Sequence, residues 1–168
     1  MKNKLIKSNK INKISLVLIL LTVIIFMPGC KMVDNISTMT WECEKESLDA
    51  NGYKTIDKLT IKARDQYIKN LVSETLYEVD ENSIESALEY GNKLSDAIKN
   101  CKGVSLKYTK HDNKTLKIVT KVDYEKVHQD ELKNALGTYY SETDPMLSGK
   151  QVEFAKYKAL YLKDYVCK

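Results

Sequence analysis

Between residues 39 and 79 the chain alternates apolar and polar side chains, broken only by two short turn signals. Met39, Trp41 and Cys43 alternate with Thr40, Glu42 and Glu44. Leu59, Ile61 and Ala63 alternate with Lys58, Thr60 and Lys62, and a third run extends from Tyr67 to Val79. A period of two marks a half-buried strand, because successive side chains point to opposite faces. The links, Asp49-Ala50-Asn51-Gly52 and Ala63-Arg64-Asp65-Gln66, are far shorter than the crossover that parallel strands require. The stretch is therefore expected to form a three-stranded antiparallel meander, with Asn51-Gly52 serving a tight turn.

The next signal has helical spacing. Ile84, Ala87, Leu88, Gly91, Leu94, Ala97, Ile98 and Cys101 recur on one stripe. Asn82 with Glu85 three residues on reads as a capping box, and Lys99, Lys102 and Gly103 suit the far end. Alternation returns over Val104–Tyr108 and over Leu116–Val122, on either side of the polar turn His111-Asp112-Asn113-Lys114. A short helix is expected over Asp123–Leu136, a loop over Gly137–Leu147, and a last helix over about Gly149–Asp164 with Val152, Ala155, Ala159 and Leu162 on one stripe. Tyr165–Lys168 reads as a short extended end. The expected class is α+β: an antiparallel sheet of about five strands (meander, helix, hairpin) with two or three helices packed on one face.

The first 29 residues have a different character. Five lysines and no acid lie within the first 13, followed by the uncharged run Ile14–Phe26 and then Met27-Pro28-Gly29-Cys30. This is the three-part order of a secretory signal. The small Gly29 before Cys30 matches a bacterial lipobox, in which the thiol takes a diacylglyceryl group and a peptidase cuts before it. Met27 and Pro28 depart from the commonest residues there. The rival reading is an uncleaved membrane helix, but the run is short against the roughly 20 residues a span needs. Residues 1–29 are thus expected to be a lipoprotein signal peptide, 30–38 the lipidated Cys30 and a spacer, and 39–168 one extracytoplasmic domain. Two acyl chains hold a protein on a membrane far better than one.

Removing the signal also removes the charge excess. The whole chain carries +4, but after residue 29 twenty-two basic residues face twenty-three acidic ones. That balance gives no basic footprint for nucleic acid, so no nucleic-acid partner is expected.

Beyond Cys30 three cysteines remain, Cys43, Cys101 and Cys167, an odd number with no two-residue spacing. No metal site or cofactor is expected. Export permits a disulfide. A Cys43–Cys167 bridge would join the first strand to the chain end, while Cys101 falls on the helix's apolar stripe. His111 and His128 sit among polar and charged neighbours, without a nucleophile and orienting partner in sequence view. Glu42, Glu44 and Glu46 share one strand face and read as a solvated outer face. All eleven tyrosines follow residue 29, and Tyr139, Tyr140, Tyr157 and Tyr161, with Tyr165 near the end, are the candidates to line a sugar or peptide groove. The bland alternative is that their rings cover the core edge.

The lipobox Cys30, the stretches Gly103–Thr109 and Leu116–Tyr124, the last amphipathic helix and the Cys-Lys ending together resemble the YehR-like family of small bacterial lipoproteins, a domain of unknown function. The likeness covers most of residues 39–168. It implies an α+β fold, extracytoplasmic attachment, and cysteines in the first strand and at the C-terminus, here Cys43 and Cys167. It implies no activity. The expectation is a membrane-anchored, non-enzymatic binding or interaction module of the cell envelope, held through the lipid on Cys30 and contacting an envelope protein or small ligand. An envelope hydrolase and a structural or stress-related lipoprotein are the alternatives.

Overall fold

The computed structural model describes residues 37–141 and 150–168; the signal segment, Cys30 and most of the spacer lie outside the described residues. β1 (Met39–Leu48) and β2 (Lys54–Arg64) pair antiparallel along their length, with Trp41 opposite Ile61 and Cys43 opposite Leu59. Asp49 ties the link between them. Its carbonyl accepts from the Gly52 N–H at 3.0 Å, and its Oδ1 accepts from the N–H groups of Asn51 at 2.7 Å and Tyr53 at 3.0 Å. Gly52 holds φ at +83°, which glycine adopts without a Cβ penalty.

β3 (Tyr67–Glu78) follows a two-residue turn in which Asp65 and Gln66 both take positive φ, 54° and 70°. That sign matches the turn to the right-handed twist of its strands. A register shift between Lys62 and Ala63 keeps Ala63 opposite Ile68 and both side chains buried.

α1 (Ile84–Ile98) enters through a 3-10 turn over Glu81–Ser83. The expected cap is displaced: Asp80, not Asn82, supplies the oxygen, accepting from the Asn82 N–H at 2.9 Å. Glu85 reaches forward to Lys110 at 3.4 Å instead of back to the helix start. α1 lies over β4 (Val104–Lys110) so closely that a Cβ on Gly91 would run into the Tyr108 ring. β4 and β5 (Thr115–Asp123) form the expected hairpin, and β5 pairs with β3.

The two later helices are shorter than their sequence pattern. Residues 123–127 form a turn closed by the Asp123 carbonyl, so α2 spans only Gln129–Leu136. α3 spans Phe154–Tyr161, because Glu153 bridges to Tyr67 and the Phe154 N–H is bound to the Gln66 carbonyl. Its expected stripe is also corrected. Ala155 and Ala159 are exposed, while Tyr157 and Leu162 are buried and Phe154 stacks on Trp41 at 3.9 Å.

A sixth strand, β6 (Val166–Cys167), adds to the free edge of β1. The sheet order is β4-β5-β3-β2-β1-β6 with every neighbouring pair antiparallel, an open α+β fold. One face carries the core of Leu59, Ile61, Ile68, Leu71 and Val122 beneath the helices, closed by Ile98, Leu132, Leu136 and Tyr157. The pairing registers place the start of β1, the end of β2, the start of β3, the end of β5 and the start of β4 at one end of the sheet.

Candidate functional site

By parity the outer face of the sheet carries most of the charged strand residues, with the half-buried Ile56, Val72, Leu76 and Val119 among them. Glu42, Glu44 and Glu46 of β1 lie beside Lys58 and Lys54 of β2, and Glu74 of β3 lies beside Lys117 of β5. Their cross-strand ion pairs are Glu46–Lys54 at 2.9 Å, Glu44–Lys58 at 3.8 Å and Glu74–Lys117 at 2.8 Å. Exposed pairs of this kind contribute about 0–1 kcal/mol each. All three glutamates are exposed; Glu44 and Glu46 are matched to lysines across the ladder, and Glu42 stands opposite Thr60.

Two shallow clefts open on this face. One, of about 550 Å³, runs along the β1–β6 rim between Glu42, Glu44, Glu46, Lys58, Val166 and Lys168. The other, of about 500 Å³, lies at the Met39 end between Thr60, Lys62, Asn70, Ser105, Lys121 and Lys126. Lys126 is held by Asp123 at 2.7 Å. Neither cleft is lined by a histidine or a cysteine thiol. Such shallow, open hollows suit contact with a surface better than enclosure of a small molecule, which needs a deep pocket.

On the helix-bearing face, a polar cluster occupies the half of the sheet beyond the core. Thr75 donates to Asp57 Oδ1 at 2.7 Å, Tyr165 donates to Oδ2 at 3.3 Å, and Ser73 lies 3.4 Å from the Thr75 hydroxyl. Lys45 sits 5.7 Å from the centre of the Tyr165 ring and pairs with Asp164 at 3.3 Å. Burial, with the Asp57 charge beside it, pushes the Tyr165 hydroxyl up to about 12. It therefore stays a proton donor near neutrality and cannot serve as a base. No local pattern marks this cluster, since its members come from three strands and the chain end. Only the pairing register unites them.

The candidate tyrosines do not converge. Tyr157 is 3 % exposed and belongs to the core, so it cannot line a groove. Tyr161 packs against it at 5.2 Å and is partly exposed. Tyr140 is half-buried, and its hydroxyl accepts from Gln129 Nε2 at 2.8 Å. Tyr139 is exposed and meets Tyr90 of α1 edge to face at 5.7 Å, above a notch of only about 120 Å³ lined by Leu94, Ala97 and Leu136. Tyr90 had escaped the sequence reading because it lies off the apolar stripe of α1.

Cys43 and Cys167 are bonded, with an S–S distance of 2.03 Å. Cys101 is a free, half-buried thiol whose ionisation burial and the nearby Glu131 push upward. A protonated thiol is a poor nucleophile. His111 lies exposed in the β4–β5 turn, and His128 lies exposed at the start of α2. Among the described residues, no three His, Cys, Asp or Glu side chains are placed to hold a metal ion, and no helix is long and apolar enough to cross a membrane.

Two solved structures resemble this one. The NMR structure of the Escherichia coli YehR protein matches with a TM-score of 0.50 and 23% identity, covering 73% of this chain and 86% of its own. The likeness is one of fold. An NMR structure of a protein from Streptococcus pneumoniae TIGR4 matches with a TM-score of 0.53 and 13% identity, covering 100% of this chain and 96% of its own. No family model and no curated protein matches the chain. The YehR resemblance read from the sequence thus holds at the level of fold.

Proposed function

We propose that the chain is a member of the YehR-like lipoproteins, anchored outside the cytoplasm through a diacylglyceryl group on Cys30, and that it acts as a non-enzymatic binding module of the cell envelope. The observation that carries this reading is the uncovered outer face of the sheet, with two open clefts and no nucleophile–base pair in either. The Cys43–Cys167 bridge supports the compartment, since structural disulfides persist in oxidising surroundings. The β1–β6 rim is the part offered to a partner. Its alternating carboxylates and lysines suit a protein surface of mixed charge, where electrostatic complementarity sets specificity.

A photo-reactive side chain at Glu44, compared with one at the exposed Leu160 of α3, tests this in living cells. Adducts to an envelope component are expected from position 44. Adducts from 160 alone, or from neither position, overturn the reading. Replacing Cys30 by Ala should abolish labelling with a fatty-acid analogue, and persistent labelling refutes the anchor. Turnover of an envelope substrate by the purified protein, lost on changing one residue, would put an enzyme in place of the binding module.

A further inference from the structure

The two ends of the sheet carry opposite charge. At the Met39 end, segments 62–69, 99–105 and 121–127 hold seven Lys or Arg against three Asp or Glu. At the other end, segments 46–54, 78–85 and 110–115 hold seven Asp or Glu against three Lys. The pairing registers assign these strand ends and turns: Met39 lies opposite Ala63, Asn70 opposite Asp123, and Val104 opposite Val122. The whole domain is nearly neutral, so its charge is segregated along the strand axis.

The basic end has an outward-facing centre. Lys62 and Lys121 are exposed on the outer face and have no ion-pair partner among the described residues. With Lys126 they border the cleft of about 500 Å³, alongside Thr60, Asn70, Ser105 and one carboxylate, Asp123, which is paired with Lys126 at 2.7 Å. Asp130 and Glu131 follow nearby in the chain, but they belong to α2. That helix buries Leu132 and Leu136 in the core on the opposite side of the sheet.

We infer that this basic end, centred on Lys62 and Lys121, rests on the anionic phospholipid surface to which the protein is tethered, with the cleft facing the phosphodiester headgroups. The inference builds on the lipid anchor proposed above. Eight residues, Lys31–Thr38, separate Cys30 from Met39. Fully extended, that length of chain reaches at most about 30 Å. The tether therefore enters the domain at its basic end, and anionic headgroups attract basic residues within about a Debye length, roughly 10 Å. The acidic end is repelled from the same surface. Held this way, the domain presents the β1–β6 rim sideways and the β4–β5 turn outward.

The test uses the mature protein purified from membranes and reconstituted in two sets of vesicles, phosphatidylcholine alone and phosphatidylcholine with phosphatidylglycerol. Lysines are acylated with a water-soluble reagent, and the rate at each site is read by peptide mass. On the anionic vesicles, labelling of Lys62 and Lys121 should slow by about threefold or more relative to Lys110 and Lys114, and the difference should vanish in about 1 M salt. A Lys62→Glu/Lys121→Glu variant should lose the lipid dependence, as reported by Lys126, whereas Lys110→Glu/Lys114→Glu should keep it. Equal labelling on both lipids, protection that ignores lipid charge, or lipid dependence surviving in the first variant overturns the inference. The intact mass of the purified protein reports the diacylglyceryl group independently. A mass without the lipid refutes the anchor, while a lipidated protein with unprotected lysines refutes only the docking.

Discussion

Cys43 and Cys167 stand opposite each other in the β1–β6 pair, their Cα atoms 4.0 Å apart and their sulfurs bonded, although 124 positions separate them in sequence. Next to this bond, Glu42 and Lys168 exchange backbone hydrogen bonds: the Glu42 N–H donates to the Lys168 carbonyl at 3.2 Å and the Lys168 N–H to the Glu42 carbonyl at 2.9 Å. β6 has only two residues, so the covalent bond is what keeps it in place. Replacing both cysteines by serine should lower unfolding free energy by about 2–5 kcal/mol, because the bridge restricts a very long loop in the unfolded chain. Urea unfolding with and without reductant checks this. The wild-type midpoint should fall on reduction and the variant's should not move.

Gly103 should be the least replaceable glycine. Its φ is +72°, and a Cβ there would meet the Val127 nitrogen at 2.6 Å and the Asp123 carbonyl oxygen at 2.8 Å, both backbone atoms of the turn after β5. Neither can rotate away. Gly103→Ala should cost about 2–4 kcal/mol. Gly52→Ala, with positive φ but open space around it, should cost only about 1 kcal/mol. Thermal unfolding of the two variants ranks them.

The β2–β3 turn leaves room for improvement. Asp65 and Gln66 both hold positive φ without being glycine. Gln66→Gly removes one Cβ penalty while keeping the carbonyl that binds the Phe154 N–H. A gain of about 0.5–1 kcal/mol in unfolding free energy is expected, read from a urea midpoint with unchanged slope.

Tyr165 supplies a pH signature. Its hydroxyl is pushed up to about 12 by burial and by Asp57, against an ordinary value near 10. A raised native value means the folded state holds the proton more tightly. The associated stability is complete below about pH 10 and is lost as pH rises toward 12. Ultraviolet titration should show Tyr165 among the late-ionising tyrosines, with Tyr108, which burial also pushes up. Asp57→Asn should bring the Tyr165 midpoint down, and Tyr165→Phe should remove it.

Much of the sheet was legible because alternation and turn chemistry are local. The meander needed only the parity of Trp41, Cys43, Leu59 and Ile61 and the shortness of two links. The disulfide was legible because the parity of Cys43 turned it inward and Cys167 sits in a short extended segment that can lie beside the first strand. What failed depends on distant partners. Val152, Ala155, Ala159 and Leu162 fit a helical stripe, and that spacing alone predicts a last helix from about Gly149 to Asp164. The actual contacts of Phe154 with Trp41 and of Glu153 with Tyr67 start the helix later and rotate it, burying Tyr157. That rotation also removed Tyr157 from the candidate groove. β6 is too short to show any period. The Asp57–Thr75–Tyr165 cluster and the Lys62–Lys121 corner exist only once four strands are in register.

The bond between the first strand and the chain end has a mechanical consequence. A pull applied at Met39 and resisted at Lys168 passes through Cys43 directly into Cys167. Only residues 39–43 and 167–168 lie in the line of tension. The segment from 44 to 166 forms a closed covalent ring that such a load cannot lengthen. The helices and the cleft at the Met39 end sit within that ring, so they keep their shape under a stretch that would unravel the same sheet without the bond, whereas the rim cleft shares Glu42 and Lys168 with the loaded ends.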